Sequence, residues 1–300
     1  MLKRISHIHI LFLLSIGFIC TDVNAKPKSR NVRLSPPTSL VVDLKTGKVL
    51  HEQNASTRIH PASLTKLMTL YLTFESIDSG KLSINQKLRV SEKAEKMKPC
   101  KLGLLKGESI TVRDAILATS IKSANDAAVT LSENIAKSED NFAMLMNAKA
   151  RQLGMKDTKF KNASGWHHPE QKTTAKDLAK LAIALKRDFP RFYHIFSKTS
   201  FVYRGNVING HNNVTANYAY AEGLKTGYTG PSGFNLVTVA SKDNKTLVGV
   251  VTGSPTASSR DQKMVKLLDE NFAKHSQSVK GKRYTQVEAG SYNKTRRKSL

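Results

Sequence analysis

The chain has 300 residues, of which 39% are hydrophobic, and its 48 lysines and arginines against 23 acidic residues give a formal net charge of +25. This size and apolar content suffice for a large domain or two lobes around a good core, and only two cysteines exclude a disulfide-rich scaffold. Because the positive charge is spread along the whole chain rather than striped with aromatic residues, it favours solubility and loose attraction to anionic surfaces over nucleic-acid binding.

The N-terminus has the pattern of a secretory signal peptide. Lys3 and Arg4 precede an apolar run over 8–20 that is too short to span a bilayer as a helix, and small residues stand before a cleavage point after Ala25. Residues 1–25 are therefore predicted to be removed, and the mature chain is expected to be exported; an uncleaved anchor is the alternative. The mature chain retains Cys100 alone, so it forms no internal disulfide, and we interpret this thiol as incidental.

Residues 26–37 are a basic, proline-ended linker, and two short strands follow in SLVVDL and KVLHEQN. The turn between these strands contains the first of two Lys-Thr-Gly tripeptides, at 45–47, where Gly47 supplies a permissive backbone conformation. The apolar stripe that begins at Leu64 and repeats every three or four residues predicts a core helix, which ends at Gly80.

Three more helices are predicted in the middle of the chain: over 125–136, over 142–153, and after the capping-box pair Thr174 and Asp177. Gly154 ends the second of these helices. The apolar residues after the capping box continue at helical spacing, which supports the third.

The C-terminal third changes to strands, over 201–205, 234–241 and 246–253, of which the last two are joined by a hairpin turn. A final helix is predicted over 259–273 from the spacing of its apolar residues. The tail 276–300 is basic and polar with almost nothing apolar to bury, so we predict that it is disordered.

Strands at both chain ends flank a helical block, which predicts an α+β fold. The simplest architecture is an antiparallel sheet formed by both chain ends with flanking helices, plus an inserted, mostly helical lobe over about 66–195. Residues 38–275 would form this domain, and a functional site is expected in the cleft between its lobes.

The stretch HPASLTKLM places Ser63 at the start of the first long helix, with Lys66 three positions later on the same helical face. A serine hydroxyl becomes a nucleophile only with an adjacent base, and a lysine serves as that base if burial or a neighbouring cation lowers its pKa. An N-capping serine and a solvated lysine would give the same spacing, so this motif alone is weak.

Two further motifs carry the same ambiguity. Ser123 and Asn125 in KSANDAA stand at the entry to another helix, where Asn125 is either an N-cap or a group that binds a substrate amide, with Ser123 in a proton relay. The second Lys-Thr-Gly precedes an ample turn, so it falls at the end of a strand rather than in the turn. There it can present Lys225 and Thr226 to a cleft, while Gly227 lets a ligand approach the backbone.

Ser-x-x-Lys, Ser-x-Asn and Lys-Thr-Gly in this order are specific in combination, because the triple occurs in penicillin-binding proteins and β-lactamases. The chain resembles the low-molecular-mass penicillin-binding proteins, the serine D-alanyl-D-alanine carboxypeptidases. The blocks that carry the resemblance are HPASLTKLMT, KSANDAA, NASGWHHPEQKTTAKDLAKLA and GLKTGYTGPSGFNLV, and together they extend over about 35–275. The resemblance implies a β-lactamase/transpeptidase-like fold and an acyl-enzyme mechanism.

The resemblance also implies roles for individual residues. Ser63 would be the acylated nucleophile and Lys66 its general base, with Ser123 and Lys225 completing the proton relay. The residues implied to bind substrate are Asn125 on the peptide, Thr226 and Arg260 on the terminal carboxylate, Gly227 at the backbone approach, and Tyr228, whose N–H would form the oxyanion hole with that of Ser63. The resemblance implies no cofactor and no metal.

The implied substrates are peptidoglycan stem peptides ending in D-Ala-D-Ala, and β-lactam antibiotics would act as inhibitors. Nucleic acid is not an expected partner, and contact with anionic membrane or wall polymer would be loose and electrostatic. Only about 25 residues follow the catalytic region, so we expect neither the C-terminal β-domain nor the anchor helix that family members often add.

Two departures from the family pattern bear on the site. An arginine that many members carry upstream of the second Lys-Thr-Gly is replaced near His211, which puts a second carboxylate contact in doubt. Trp166, His167 and His168 stand where smaller residues are common. We interpret the two histidines as loop residues rather than metal ligands, because no further ligand stands at suitable spacing.

Three alternatives to a carboxypeptidase stay open. A D,D-endopeptidase that cuts cross-links is the nearest of them. A class A-type β-lactamase shares the motif triple but needs a carboxylate for the deacylating water, and no glutamate between the second and third motifs has the usual Glu-x-x-Leu-Asn context. A non-catalytic wall-binding module would have kept the fold, but the intact Ser63, Lys66 and Lys225 argue against it.

Overall fold

The computed structural model describes residues 36–274. The predicted signal peptide 1–25, most of the linker 26–37 and the tail 276–300 lie outside the described residues. Within 36–274, none of the helices is both long enough and apolar enough to pass through a lipid bilayer.

The described part of the chain contains nine strands and nine helices. The strands are β1 Thr38–Asp43, β2 Val49–Gln53, β3 Lys87–Arg89, β4 Ser109–Thr111, β5 Ser200–Tyr203, β6 Asn206–Asn209, β7 Ala221–Thr229, β8 Gly233–Lys242 and β9 Lys245–Ser254. The helices are α1 Lys66–Asp78, α2 Glu92–Glu95, α3 Val112–Leu117, α4 Asn125–Ala136, α5 Glu139–Gln152, α6 Ala175–Asp188, α7 Pro190–Tyr193, α8 Asn213–Asn217 and α9, which covers 257–274. A 3₁₀ turn precedes α1 at Ala62–Thr65, a π-helical turn follows α3 at Ala118–Lys122, and a 3₁₀ turn follows α7 at His194–Ser197.

The main sheet is antiparallel with the strand order β2-β1-β9-β8-β7, so strands from the two chain ends pair at its centre. This topology confirms the predicted α+β fold. Successive residues of a strand face opposite sides of a sheet, and both faces of this sheet are covered. Val237 and Val250 pack into the core that contains α1, whereas Leu236 and Val251 pack with Met264 of α9 on the other face.

The first Lys-Thr-Gly is the turn between β1 and β2, as predicted. The Asp43 carboxylate accepts hydrogen bonds from both the N–H and the hydroxyl of Thr46, each at 2.9 Å, and Gly47 has a φ of +71°. Lys45 is exposed in this turn. Local turn chemistry therefore explains this copy fully.

The predicted helices of the middle region are confirmed, with one boundary corrected. Gly80, at φ +74°, follows the end of α1, and the Thr174 hydroxyl caps α6 by accepting the N–H of Asp177. Helix α4 has the predicted bounds. Helix α5 begins three residues earlier than predicted, because the Ser138 hydroxyl caps it by accepting the N–H of Asn141.

The remaining short elements escape sequence reasoning. β3 and β4 have three residues each, which is too short for a period-two pattern to be recognisable. The predicted strand at 201–205 exists as β5, but it pairs only with β6 in a separate two-stranded sheet.

Candidate active site

A cleft of about 530 Å³ opens where β7, the turn before α1 and the starts of α4 and α9 meet. Seven of the nine residues that the sequence assigns to a site line this cleft: Ser63, Ser123, Asn125, Thr226, Gly227, Tyr228 and Arg260. The other two, Lys66 and Lys225, are buried next to them, with 0% and 2% of their surface exposed. The structure thus brings all nine together from distant parts of the chain.

Ser63 lies in the 3₁₀ turn, whose backbone is held by two glycines. Ala62, the preceding residue, has a φ of +49°, which is uncommon for alanine. Gly165 packs directly on this residue, since a Cβ at 165 would lie 1.9 Å from the Ala62 carbonyl oxygen. On β7, a Cβ at Gly227 would lie 3.1 Å from the Ser63 nitrogen. The strained turn is therefore fixed by two close backbone approaches that leave little or no room for side chains.

Lys66 is the first residue of α1, and its ammonium lies within hydrogen-bond distance of three oxygens. Lys66 Nζ is 3.1 Å from Ser63 Oγ, 2.7 Å from Asn125 Oδ1 and 2.5 Å from the Ser164 carbonyl oxygen. Burial lowers the pKa of Lys66 well below its ordinary value, and the charge of Lys225 lowers it further. Both effects increase the fraction of neutral amine, which is the form that can accept a proton.

Ser123 follows the π-helical turn and adopts the left-handed conformation, with a φ of +61° and a ψ of +32°. Such turns and strained residues occur frequently at functional sites. The Ser123 side chain is buried, and its hydroxyl has no hydrogen-bond partner within 36–274. A buried hydroxyl without a partner is available to a bound ligand.

Asn125 is not the N-cap of α4, because Ala124 occupies that position and Asn125 is the first helical residue. The capping interpretation of this motif is therefore wrong. The Asn125 side chain instead accepts from Lys66 through Oδ1 and donates from Nδ2 to the Lys98 carbonyl at 2.9 Å. The side-chain amide of Asn125 is therefore held at its oxygen by Lys66 and at its nitrogen by the Lys98 carbonyl.

The two Lys-Thr-Gly copies differ in burial rather than in sequence. Lys225 lies within β7, not at its end, and its ammonium donates to the Thr226 carbonyl at 3.1 Å. Burial lowers the pKa of Lys225 to about 7, and the charge of Arg260 contributes. Lys45 in the first copy is exposed to solvent. The second copy therefore places a buried lysine of lowered pKa beside a cleft, whereas the first places an exposed lysine in a turn.

The side of the cleft formed by β7 and α9 carries positively charged groups. Arg260, on α9, is 3% exposed and pairs with Asp261 at 2.7 Å. His211 also lines the cleft, and burial together with the charges of Lys225 and Arg260 lowers its pKa to about 4. Its imidazole is therefore neutral at pH 7 and adds no positive charge to this side of the cleft.

A loop from Asn162 to Trp166 completes the site, and sequence reasoning assigned it no role. Its Ser164 carbonyl binds Lys66, its Gly165 packs on Ala62, and Trp166 lines the cleft. The Asn162 side chain accepts the N–H of Gly165 at 2.8 Å, which is an Asx-type turn. An Asn and a Gly three residues apart mark such a turn in sequence, but they do not reveal what its carbonyl contacts.

The remaining residues noted in the sequence lie at the edge of the site. Cys100 is exposed and lines the cleft, and its carbonyl accepts the N–H of Asn125 at 2.8 Å. The His167 ring lies edge-on to that of His60, with centroids 4.8 Å apart. Within the described residues, no group of three or more His, Cys, Asp and Glu side chains is arranged to hold a metal ion.

Known proteins are similar to this chain in sequence and in fold. The D-alanyl-D-alanine carboxypeptidase DacF of Bacillus subtilis is 34% identical over 243 residues, which cover 79% of this chain and 62% of that protein, less than two thirds of its length. Penicillin binding protein 5 from Haemophilus influenzae superposes with a TM-score of 0.77 at 31% identity, over 80% of this chain and 72% of that one. Penicillin-binding protein D2 from Listeria monocytogenes in its ampicillin-bound form gives a TM-score of 0.73 at 31% identity, over 81% of this chain and 99% of that one.

A profile of the D-alanyl-D-alanine carboxypeptidase family matches residues 25–256, which is most of the chain. The matched range contains both glycines that hold the Ser63 turn and eight of the nine residues assigned from sequence, all except Arg260. The resemblance read from the three motifs is confirmed: this chain belongs to the D-alanyl-D-alanine carboxypeptidase family.

Proposed function

We propose that this chain is a serine-type D-Ala-D-Ala carboxypeptidase that removes the terminal D-alanine from peptidoglycan stem pentapeptides through an acyl-enzyme on Ser63. The observation that carries the proposal is the 3.1 Å contact between Lys66 Nζ and Ser63 Oγ, in a buried setting that lowers the lysine pKa. Membership of the family supports the same activity.

The partners of Lys66 suit a general base. A neutral amine has two N–H donors and one lone pair, and the Asn125 Oδ1 and Ser164 carbonyl oxygens can only accept. If the two N–H groups point to these oxygens, at 2.7 and 2.5 Å, the lone pair is left for the Ser63 hydroxyl. Ser63 Oγ then attacks the carbonyl carbon of the penultimate D-alanine while its proton passes to Lys66.

The oxyanion that forms in this attack would be stabilised by the backbone N–H groups of Ser63 and Tyr228. Collapse of the intermediate breaks the C–N bond, and the departing D-alanine nitrogen takes up the proton that Ser63 lost. Ser123 is suited to carry this proton, since its buried hydroxyl has no other partner among the described residues. Lys225, with a pKa near 7, completes the relay.

Substrate binding uses the cationic side of the cleft. Thr226 and Arg260 would bind the terminal carboxylate, and the neighbouring charge of Lys225 adds attraction for this anion. Asn125 Nδ2 has two N–H groups, of which one binds the Lys98 carbonyl, so the other remains for a substrate carbonyl. Gly227 lets the Ser63 turn approach the β7 backbone, which keeps the proposed nucleophile beside the residues that would bind the peptide.

Hydrolysis of the acyl-enzyme requires an activated water, and Lys66 is the base we assign to this step as well. No residue that lines the described cleft is acidic, so the carboxylate-activated deacylation of a class A-type β-lactamase lacks its carboxylate here. We therefore expect a penicilloyl ester on Ser63 to be hydrolysed more slowly than in such a β-lactamase. β-Lactams are proposed inhibitors, and peptides ending in D-Ala-D-Ala are the proposed substrates.

Labelling with penicillin tests the nucleophile. Intact-mass spectrometry is expected to show one β-lactam adduct on the wild type and none on Ser63→Ala, while Ser79→Ala, at the other end of the same helix, keeps the adduct. An adduct that persists in Ser63→Ala would refute the assignment, and a wild type that takes up no label would favour a non-catalytic wall-binding module.

Digestion of isolated peptidoglycan separates the carboxypeptidase from the D,D-endopeptidase alternative. A carboxypeptidase releases free D-alanine and leaves cross-linked dimers intact, whereas an endopeptidase converts dimers to monomers. Muropeptide analysis that showed loss of dimers without release of D-alanine would replace the carboxypeptidase assignment.

The proposal extends to the organisation and location of the chain. Residues 38–275 would be the catalytic domain of an exported enzyme that acts in the periplasm or cell envelope after cleavage behind Ala25. The basic tail 276–300 would contact anionic membrane or wall polymer only loosely. The N-terminal mass of the protein recovered from the cell envelope tests the cleavage, since an intact residue 1 would contradict it.

A further inference from the structure

Two large aromatic side chains stand half-exposed in the cleft, Trp166 with 46% and Tyr228 with 56% of their surface accessible. Each directly follows one of the two glycines that pack against the backbone of the Ser63 turn, Gly165 and Gly227. The two close backbone approaches that hold the Ser63 turn therefore also fix the backbone positions from which the Trp166 and Tyr228 side chains extend.

The backbone of Trp166 is held firmly. Its N–H donates to the Ser164 hydroxyl at 3.2 Å, and its carbonyl accepts from Asn162 Nδ2 at 2.9 Å and Gln171 Nε2 at 3.2 Å. The Tyr228 ring lies tilted against the ring of Phe234, with centroids 4.3 Å apart, whereas the indole of Trp166 makes no ring contact and no hydrogen bond within 36–274. A rigid backbone that presents an unpartnered indole to a cleft is typical of a binding surface.

The loop of Trp166 determines which part of a substrate meets the indole. The candidates for carboxylate binding, Thr226 and Arg260, lie on β7 and α9, so the terminal D-alanine occupies that side of Ser63. The Trp166 loop approaches the nucleophile from the side of Lys66, which its Ser164 carbonyl contacts. The acyl part of the peptide therefore extends towards Trp166.

We propose that Trp166 is a specificity-determining residue that packs against the side chain of the amino acid preceding D-Ala-D-Ala. The inference rests on the proposed function, because it takes Ser63 as the nucleophile and a peptide carboxylate at Arg260. In a stem peptide the preceding residue is a diamino acid, whose stem of about three or four methylene groups can lie on the indole face while its polar end stays in water. Contact with the indole covers one face of such a stem, roughly half of its surface, which corresponds to about a tenfold change in affinity.

Two substrates that differ only in this side chain test the proposal. Nα,Nε-diacetyl-L-Lys-D-Ala-D-Ala carries the methylene stem, and Nα-acetyl-L-Ala-D-Ala-D-Ala carries a single methyl group. Trp166→Ala is expected to raise KM about tenfold for the lysyl peptide, with kcat and both constants for the alanyl peptide changed by less than about twofold. Trp166→Phe should recover most of the loss, and Met144→Ala, an exposed apolar residue outside the cleft, should change nothing.

Each result bears on a different claim. A Trp166→Ala variant that loses both peptides equally, or loses neither, would overturn the role of Trp166 and leave the carboxypeptidase assignment intact. A wild type that releases D-alanine from neither peptide would overturn the proposed function and this inference with it.

Fluorescence provides a second readout, because position 166 holds the only tryptophan of the chain. In a Ser63→Ala background, which would bind peptide without turnover, the lysyl peptide is expected to shift the emission of the indole to shorter wavelength. The alanyl peptide should produce a smaller shift. An emission spectrum unchanged at a saturating concentration of the lysyl peptide would contradict direct packing on Trp166.

Discussion

Replacing Lys225 by methionine is expected to stabilise the fold while it abolishes turnover. Lys225 is 2% exposed, and burial lowers its pKa to about 7 from the ordinary lysine value of 10.5. Methionine is similar in length and carries no charge, so it keeps most of the packing and removes the cost of burying an ammonium. A buried lysine that lowers stability is expected where the group takes part in chemistry.

The size of the effect depends on pH. Between pH 7 and 10.5 the unfolded chain holds a proton on Lys225 that the folded chain has released, so the contribution of this residue to stability rises with pH across this window. At about 1.4 kcal/mol per pH unit, the cost of burying Lys225 is about 5 kcal/mol at pH 6 and about 2 kcal/mol at pH 9. The gain in free energy of unfolding from Lys225→Met is therefore expected to be about 3 kcal/mol larger at pH 6 than at pH 9.

Urea denaturation at pH 6 and pH 9 measures this difference, with Lys45→Met in the exposed copy of the tripeptide as the matched control. Lys45→Met should leave both the stability and the release of D-alanine unchanged. Lys225→Met should lower kcat/KM for D-alanine release by at least about 100-fold, the scale of proton-transfer catalysis. A Lys225→Met variant less stable than the wild type at pH 6, or comparable losses of activity in both variants, would refute the reasoning.

Two further perturbations address the turn and the tail. Gly165→Ala puts a Cβ 1.9 Å from the Ala62 carbonyl oxygen, so the Ser63 turn must move, and we expect acylation by penicillin to slow by at least about 100-fold. Gly205→Ala, which is also at positive φ but in open space, is the control. An unchanged acylation rate in Gly165→Ala would contradict the packing argument. Truncation after residue 275 should leave turnover on a soluble peptide intact and reduce co-sedimentation with anionic vesicles at low salt; binding of the full chain that survives a high-salt wash would rule out a purely electrostatic tail.

The sequence predicts this fold best where the determining interactions are local. The turn at Gly47, the Thr174 cap of α6 and the bounds of α4 all follow from residues within a few positions of each other, and the structure contains each of them. Helix α5 begins three residues before the predicted position, because the Ser138 cap and not the first apolar residue determines where it starts. This start also depends on a local interaction, between the Ser138 hydroxyl and the N–H of Asn141.

Contacts made by the backbone are harder to predict. The Ser164 carbonyl is one of three oxygens around Lys66, yet a carbonyl is present at every residue and marks no position in a sequence. The role of Asn125 is equally hidden, because an asparagine that caps a helix and an asparagine that orients a lysine are the same residue in the sequence. Only the placement of Ala124 as the N-cap distinguishes them.

The two Lys-Thr-Gly copies show why the motif alone does not determine the chemistry. Lys45 and Lys225 have the same intrinsic pKa and the same following residues, so any difference must come from their surroundings. Lys225 owes its burial to β7, which β8 pairs on one side and the Ser63 turn covers on the other. β8 is in turn held by β9, and β9 by β1 near the start of the chain. The perturbed pKa of Lys225 therefore requires pairings between residues about 200 positions apart, which a tripeptide cannot encode.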